Sequence, residues 1–266
     1  MGSYNERAEE FAQSLSAAPS RLSKSTSNLF RNRSRVGRNL KTESLTNVIE
    51  VNTEHGWADI EAMTPYDKLV DVTLNHSVLP CVVPQLKSIT IGGAASGIGI
   101  ESSSFRYGLV HESMLELDVA LPNGELVRCS PNNEHADLFF GFPNSYGTLG
   151  YATRVRCRTI PTKPFVDLRH EKHNSFDTFL SALSKSIEDD VDFVDGVVFA
   201  NDCIVLTTAR LATSANEPSN YTDQEIYYRS LLTRNSDCLT IDDYIWRWDT
   251  DWFWCSKNVG AQNPLL

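Results

Sequence analysis

Residues 90–104, TIGGAASGIGIESSS, constrain this chain more than any other segment. Gly92, Gly93, Gly97 and Gly99 fall close together, next to Ala94 and Ala95 and the hydroxyls of Thr90, Ser96, Ser102 and Ser103. Glycine lets the backbone enter the positive-φ region and lets a ligand approach the main chain. A run of exposed N–H groups then makes a concavity for an anion. The segment is therefore expected to be a diphosphate cradle; an ordinary structural turn is the competing reading. Two common phosphate motifs are excluded. Gly97-Ile98-Gly99 would need a third glycine at position 102, which is Ser102, and no Gly-Lys-Ser/Thr follows.

The pattern around this segment mixes short strands and helices. Residues 5–17 read as an amphipathic helix with Ala8, Phe11, Ala12 and Leu15 on one stripe. Residues 44–52 and 56–63 read as strands about a turn. A helix then begins at Thr64-Pro65, with Pro65 at its first position and Asp67 in its first turn. Further strands are expected at 79–83, 114–121, 126–130 and 151–160, the second and third joined by the turn Pro122-Asn123-Gly124-Glu125. Pro161 and Pro164 bracket a boundary, after which the pattern restarts. Residues 166–170 read as strand, 176–187 as a helix with Phe176, Phe179, Leu180, Leu183 and Ile187 on one face, and 193–211 as two strands around Asn201-Asp202. This order predicts an α+β fold in two domains, 1–162 and 163–266.

The 266 residues are 41% apolar, enough for a real core, and carry a net charge of −10, which argues against a nucleic-acid binder. The charge is uneven. Residues 11–42 hold no acid but contain Arg21, Lys24, Arg31, Arg33, Arg35, Arg38 and Lys41. Two readings stand: a membrane-surface arm, or a basic segment of the fold that meets a phosphate. No stretch approaches the ~20 apolar residues of a membrane span, so a soluble or peripheral, cytoplasmic chain is expected. The six cysteines fit no zinc spacing and are expected as reduced thiols.

Several motifs together carry a resemblance. Val82-Val83-Pro84-Gln85-Leu86, Thr90-Ile91-Gly92-Gly93, Gly97-Ile98-Gly99-Ile100-Glu101-Ser102 and Arg106-Tyr107-Gly108-Leu109 come first. Leu121-Pro122-Asn123-Gly124, Arg128-Cys129-Ser130-Pro131, Asp137-Leu138-Phe139-Phe140 and Gly147-Thr148-Leu149-Gly150-Tyr151 follow in order, and Gln262-Asn263-Pro264 lies near the end. The chain resembles FAD-binding oxidoreductases of the vanillyl-alcohol-oxidase (PCMH-type) superfamily, in particular delta-24 sterol reductases and their bacterial relatives. The resemblance implies a PCMH-type FAD-binding domain of two α/β subdomains, followed by the start of an α+β substrate domain that is incomplete at its C-terminus. It implies that Thr90, Ile91, Gly92, Gly93, Ala94, Ala95, Ser96, Gly97, Ile98, Gly99, Ile100, Glu101 and Ser102 hold FAD, with Gly147, Thr148 and Gly150 beside them. Lys24-Ser25-Thr26-Ser27-Asn28 stands where many relatives place a first phosphate loop, without its usual glycines. Residues 84–107 contain no His or Cys, so a non-covalent flavin is expected.

The reaction implied is reduction of a carbon–carbon double bond in an apolar, lipid-like substrate, a sterol side chain or a methylene fatty acid, with NADPH as hydride donor. An oxidase of an alcohol or hydroxy acid, and a flavin-binding chain without turnover, are the alternatives. Glu101, Arg106, Tyr107 and His111 follow the cradle and are the candidate proton donors or orienting groups; each reads equally as scaffold, with Arg106 pairing to Glu101 and Tyr107 in the core. His170-Glu171-Lys172-His173 has the look of a metal pair but lacks a third ligand, so it reads as the surface end of a strand. Tyr244, Trp246, Trp248, Trp252, Phe253 and Trp254 either line an apolar substrate pocket or pack together.

Overall fold

The computed structural model describes residues 2–15, 20–23, 37–221 and 226–249. Two compact units divide the chain. The first comprises the residues up to Ile100 together with Tyr107–Pro161; the second comprises Glu101–Arg106 and the chain from Thr162 onward. The passage from one to the other falls between the two prolines that mark the boundary in the sequence, while the excursion of residues 101–106 has no signal in composition.

In the first unit, helix α1 (Tyr4–Leu15) buries Ala8, Phe11, Ala12 and Leu15, the i, i+3, i+4, i+7 stripe of an amphipathic helix. That stripe packs on Leu40, Leu45, Met63 and Ala120. Strands β1 (Ser20–Ser23) and β2 (Arg38–Lys41) pair in parallel. Then β3 (Val48–Asn52) and β4 (Trp57–Glu61) form a hairpin. Helix α2 (Tyr66–Leu74) begins directly after Pro65, which serves as its N-cap in extended conformation, and leads to β5 (Val78–Pro80). Helix α3 (Ile91–Ser96) follows, then the single turn α4 (Ser104–Tyr107). Strands β6 (Met114–Ala120) and β7 (Leu126–Cys129), helix α5 (Ala136–Gly141) and strand β8 (Tyr151–Pro161) complete the unit. The strands run β3-β4-β8-β6-β7, with β5 also paired to β8, all antiparallel. Strand β8 is thus the spine of this sheet.

The alternating arginines of β8 explain its place. Arg154, 4% exposed, donates to Asp118 of β6 at 2.9 and 3.0 Å, to Asp59 of β4 at 2.5 Å, and to Glu116. Arg156 holds Asp59 through two bonds of 3.0 and 2.6 Å, and its guanidinium lies 4.2 Å from the centre of the Trp57 ring. Arg128 and the Tyr4 hydroxyl each donate to Asp118 at 2.9 Å. Burial alone would raise the Asp118 pKa; the hydrogen bonds from Arg154 and Arg128 outweigh it and hold the carboxyl below its ordinary value.

The second unit is a four-stranded antiparallel sheet, β10-β11-β9-β12. Its elements are β9 (Phe165–His173), α6 (Phe176–Ser186), β10 (Phe193–Ala200), β11 (Cys203–Ala212), α7 (Tyr227–Ser230), β12 (Ser236–Thr240) and α8 (Ile241–Ile245). Phe179, Ala182 and Leu183 of α6 pack with Phe105 on Val191, Val194 and Leu206. Phe176, Leu180 and Ile187, expected on the same buried face, stay about half exposed because the apolar stripe is wider than the contact.

One expectation is corrected here, and one left open is decided for the described residues. His170 and His173 are not a surface strand end but are buried, at 4% and 8% exposure, because β9 runs on three residues further, paired with β11 through His173, and both rings meet side chains of the second unit. His170 Nδ1 lies 3.0 Å from Thr207 Oγ1, and the His173 ring meets Phe179 edge-on. Among the described residues no group of three His, Cys, Asp or Glu side chains is placed to hold a metal. The described aromatics of the last segment pack: Tyr244 and Trp246 are buried, Tyr244 lies against Phe193, and Trp248 meets Tyr227 edge-on. Trp252, Phe253 and Trp254 lie outside the described residues. Cys81, Cys129, Cys157, Cys203 and Cys238 are free thiols, and no described helix is long and apolar enough to cross a membrane.

Arg154→Met removes the central cation of this cluster, leaving Asp59 to Arg156 and Asp118 to Arg128, and is expected to cost up to about 3–5 kcal/mol of stability at pH 7, measured by urea denaturation. Because the folded-state pKa of Asp118 is depressed, its stabilisation is present above the unfolded value near ~3.9 and is lost as pH falls toward the folded value. The deficit of the variant therefore shrinks in acid. An unchanged urea midpoint at pH 7 would remove the network from the stability account.

Candidate functional site

The glycine segment folds differently from an open cradle. Thr90 caps α3, its hydroxyl accepting from the Gly93 N–H at 3.3 Å. The amides that were expected to face a ligand are largely used: Ile91 N–H donates to Thr64 O at 3.0 Å, Gly92 to Ala62 O at 2.8 Å, Ala94 to Thr90 O and Gly97 to Gly93 O, both at 2.9 Å. Gly92 makes this possible. A Cβ there would stand 2.7 Å from both the Cβ and the carbonyl oxygen of Ala62, so only glycine lets the helix sit on the end of β4. The donors left over lie further on. The N–H groups of Ile98, Gly99 and Gly147 have no hydrogen-bond partner among the described residues.

These donors open onto a groove of about 300 Å³ contained within the first unit. Thr90, Gly92, Gly93, Ala94 and Ser96 line it from the helix; Gly97, Ile98 and Gly99 line it from the segment that follows; Gly147 and Gly150 close it opposite. Ile91 and Ala95 are fully buried under the helix and do not reach it. Ile100 and Thr148 lie outside the lining, and the Thr148 hydroxyl is engaged with Ser145 O at 2.7 Å. Met63, Pro84, Ser88, Ile89, Phe142, Tyr146 and Tyr151 line the groove although the glycine pattern did not point to them. Pro84 lay in a quoted motif, and Tyr146 and Tyr151 flank the expected Gly147 and Gly150. The 144–150 loop owes its course to positive φ at Asn144 (60°), Tyr146 (50°), Gly147 (84°) and Gly150 (142°).

Glu101 and Ser102 do not line the groove. They belong to the second unit, where the buried guanidinium of Arg247 lies 2.7 Å from Asp195 Oδ2, 3.4 Å from Ser102 Oγ and 3.8 Å from Glu101 Oε1, with the Tyr244 ring 4.1 Å away. Burial pushes the Glu101 carboxyl up to about 7, Arg247 opposing and Asp195 reinforcing. The expected Arg106–Glu101 pair is not formed; Arg106 donates to Val191 O at 2.6 Å. Tyr107 is half-buried at the end of α4, and His111 sits half-buried in the 3-10 turn Val110–Ser113. None of the four candidate proton donors is among the residues lining the groove. The basic loop 24–28 falls outside the described residues.

Residues 20–130, which contain α3 and most of the groove, match the FAD binding domain family. These residues form an FAD-binding domain of the PCMH type. Delta(24)-sterol reductase of Homo sapiens is 31% identical over 201 residues, covering 73% of this chain and 39% of the human protein. The Pisum sativum protein of the same name is 32% identical over 125 residues, 47% of this chain and 22% of the relative. Cytokinin dehydrogenase 8 of Oryza sativa subsp. indica is 30% identical over 152 residues, 56% of this chain and 28% of the relative. The chain spans about two fifths of the length of the human sterol reductase.

The groove fits an FAD-binding domain in its chemistry: free backbone donors, hydroxyls, and glycines at points of close approach. A Cβ at Gly150 would stand 2.5 Å from Ala120 O, in addition to the strain of φ 142°. Gly92→Ala and Gly150→Ala are each expected to lose at least about 1–3 kcal/mol by overpacking, whereas Gly141→Ala, whose Cβ would meet nothing nearer than Leu149 Cδ1 at 3.7 Å, keeps the parent melting temperature. Equal melting of all three would show that packing does not require these glycines. A second expectation concerns Glu101. Its folded pKa lies above the unfolded 4.5, so the native state binds the extra proton, and the stability this contributes is lost as pH rises through about 7. Relative to the parent, Glu101→Gln should therefore gain stability progressively between pH 5 and pH 8, roughly the window of that titration; a constant offset across this range would contradict the assignment.

Proposed function

We propose that this chain binds FAD non-covalently in the groove between α3 and the 144–150 loop, as the cofactor-binding part of an FAD-dependent oxidoreductase. The observation that carries the reading is the set of free donors at Ile98, Gly99 and Gly147 on a groove lying largely in the segment that matches the FAD binding domain. FAD, when bound, supplies the centre that accepts and passes on hydride. The protein's own part is binding and orientation. The three amides offer donors to a diphosphate, and the glycines keep the walls close. No His or Cys is among the described lining residues, so none offers a nucleophile for a covalent link.

The finer reading is reduction of a carbon–carbon double bond in an apolar lipid, a sterol side chain or a methylene fatty acid, with NADPH as hydride donor. The names of the human and pea relatives support it. The similarity to a cytokinin dehydrogenase supports a second reading, oxidation of a substrate with the same cofactor domain. Flavin binding without turnover is the third, since the chain covers 39% of the human relative.

An absorbance spectrum of the purified chain after incubation with FAD, followed by acid precipitation, tests the core of this. Yellow protein that releases its flavin into the supernatant is expected. Colourless protein would sink the flavin reading, and flavin retained in the pellet would sink the non-covalent one. Anaerobic bleaching by NADPH, with slow reoxidation in air, is expected of the reductase; fast reoxidation by oxygen favours the oxidase, and no bleaching favours binding alone.

A further inference from the structure

The 144–150 loop contains one residue that does not suit its conformation. Asn144, Gly147 and Gly150 take positive φ at little cost, but Tyr146 holds φ at +50° with a bulky side chain. Such conformations persist where the surroundings fix them and where the side chain is used. The surroundings do fix this one: the Tyr146 N–H donates to Ser96 O at 3.0 Å, tying the loop to the end of α3. The ring lines the groove and is 41% exposed. It stands beside Gly97, with its Cε1 atom 3.6 Å from where a Cβ of that residue would be. Glycine at 146 would relieve the backbone, and the exposed ring gives little back in core burial.

An aromatic surface held in this way, facing a groove whose polar contacts are backbone amides, suits a planar ligand. We propose that Tyr146 is a positioning residue on which a planar heteroaromatic ring of the bound cofactor stacks, an inference that rests on FAD occupying the groove. Two rings of FAD share this chemistry, the isoalloxazine and the adenine.

The test uses the full chain and its Tyr146→Phe, Tyr146→Leu and Tyr146→Gly variants. FAD affinity is measured by calorimetry and by quenching of flavin fluorescence, and the melting temperature is taken without FAD. Parent-like affinity is expected for Tyr146→Phe. Tyr146→Leu and Tyr146→Gly are expected to bind about tenfold more weakly, within the range of base–aromatic stacking. The melting temperatures of the four chains without FAD separate loss of the ring from loss of the fold. ADP and riboflavin, titrated separately, assign the ring: a loss confined to ADP places adenine on Tyr146, and a loss confined to riboflavin places the isoalloxazine there. Equal FAD affinity in all four chains, a Tyr146→Phe as weak as Tyr146→Leu, or an FAD loss that neither fragment shows would each overturn the proposal. Failure of the parent chain to bind FAD would instead overturn the flavin reading itself.

Discussion

One buried guanidinium organises the first unit. Arg154 stands on the spine strand β8 and reaches Asp59 on β4 and Asp118 on β6, so its bonds cross both edges of the strand. Taking these charges out of water is expensive, and a hydrophobic replacement of similar volume is often as stable. What the arrangement adds is register. Side chains alternate along a strand, so a slip of one residue would move Arg154 and Arg156 to the other face, leaving Asp59 buried without a cation and Asp118 with Arg128 alone. The pairing of β8 with its neighbours is what fixes Tyr151 and Ala152, at the start of β8, in the wall of the groove. The site therefore inherits its geometry from a charge network that touches no ligand.

The groove itself follows from accounting for backbone donors. A buried amide must be paired, and the first amides of α3 are paired with carbonyls of the β4–α2 connection. That pairing requires Gly92, because a Cβ would collide with Ala62. Only after the helix ends, at Ile98 and Gly99, does the chain again present unpaired donors. The same glycine-rich composition thus does two jobs: close packing first, ligand approach second.

The second unit uses burial in another way. Arg247 lies among Asp195, Glu101 and the rings of Tyr227 and Tyr244. Two carboxyl groups share one cation in a space with little water, and Glu101 responds by holding its proton toward neutral pH. Glu101 thereby belongs to a packed charge cluster rather than to the row of groove-lining residues that it follows in sequence.

Much of the fold was legible along the chain. The α1 stripe, the Pro65 helix start, the hairpin at 122–125, the long arginine-bearing strand and the break at Pro161 rest on periodicity and turn chemistry, which are local properties. The family was legible too, from the order of short motifs. What tertiary structure alone decided is everything that depends on a distant partner. Whether an amide of residues 91–99 is free depends on where Ala62 O and Thr64 O lie. Whether His170 and His173 face water depends on where Thr207 of β11 and Phe179 of α6 lie. Whether Glu101 meets Arg106 or Arg247 depends on the chain from Thr162 onward. Local sequence carries the donors and the charges of this protein; only the fold assigns their acceptors, because hydrogen bonds and ion pairs are settled by proximity in space and not by spacing along the chain.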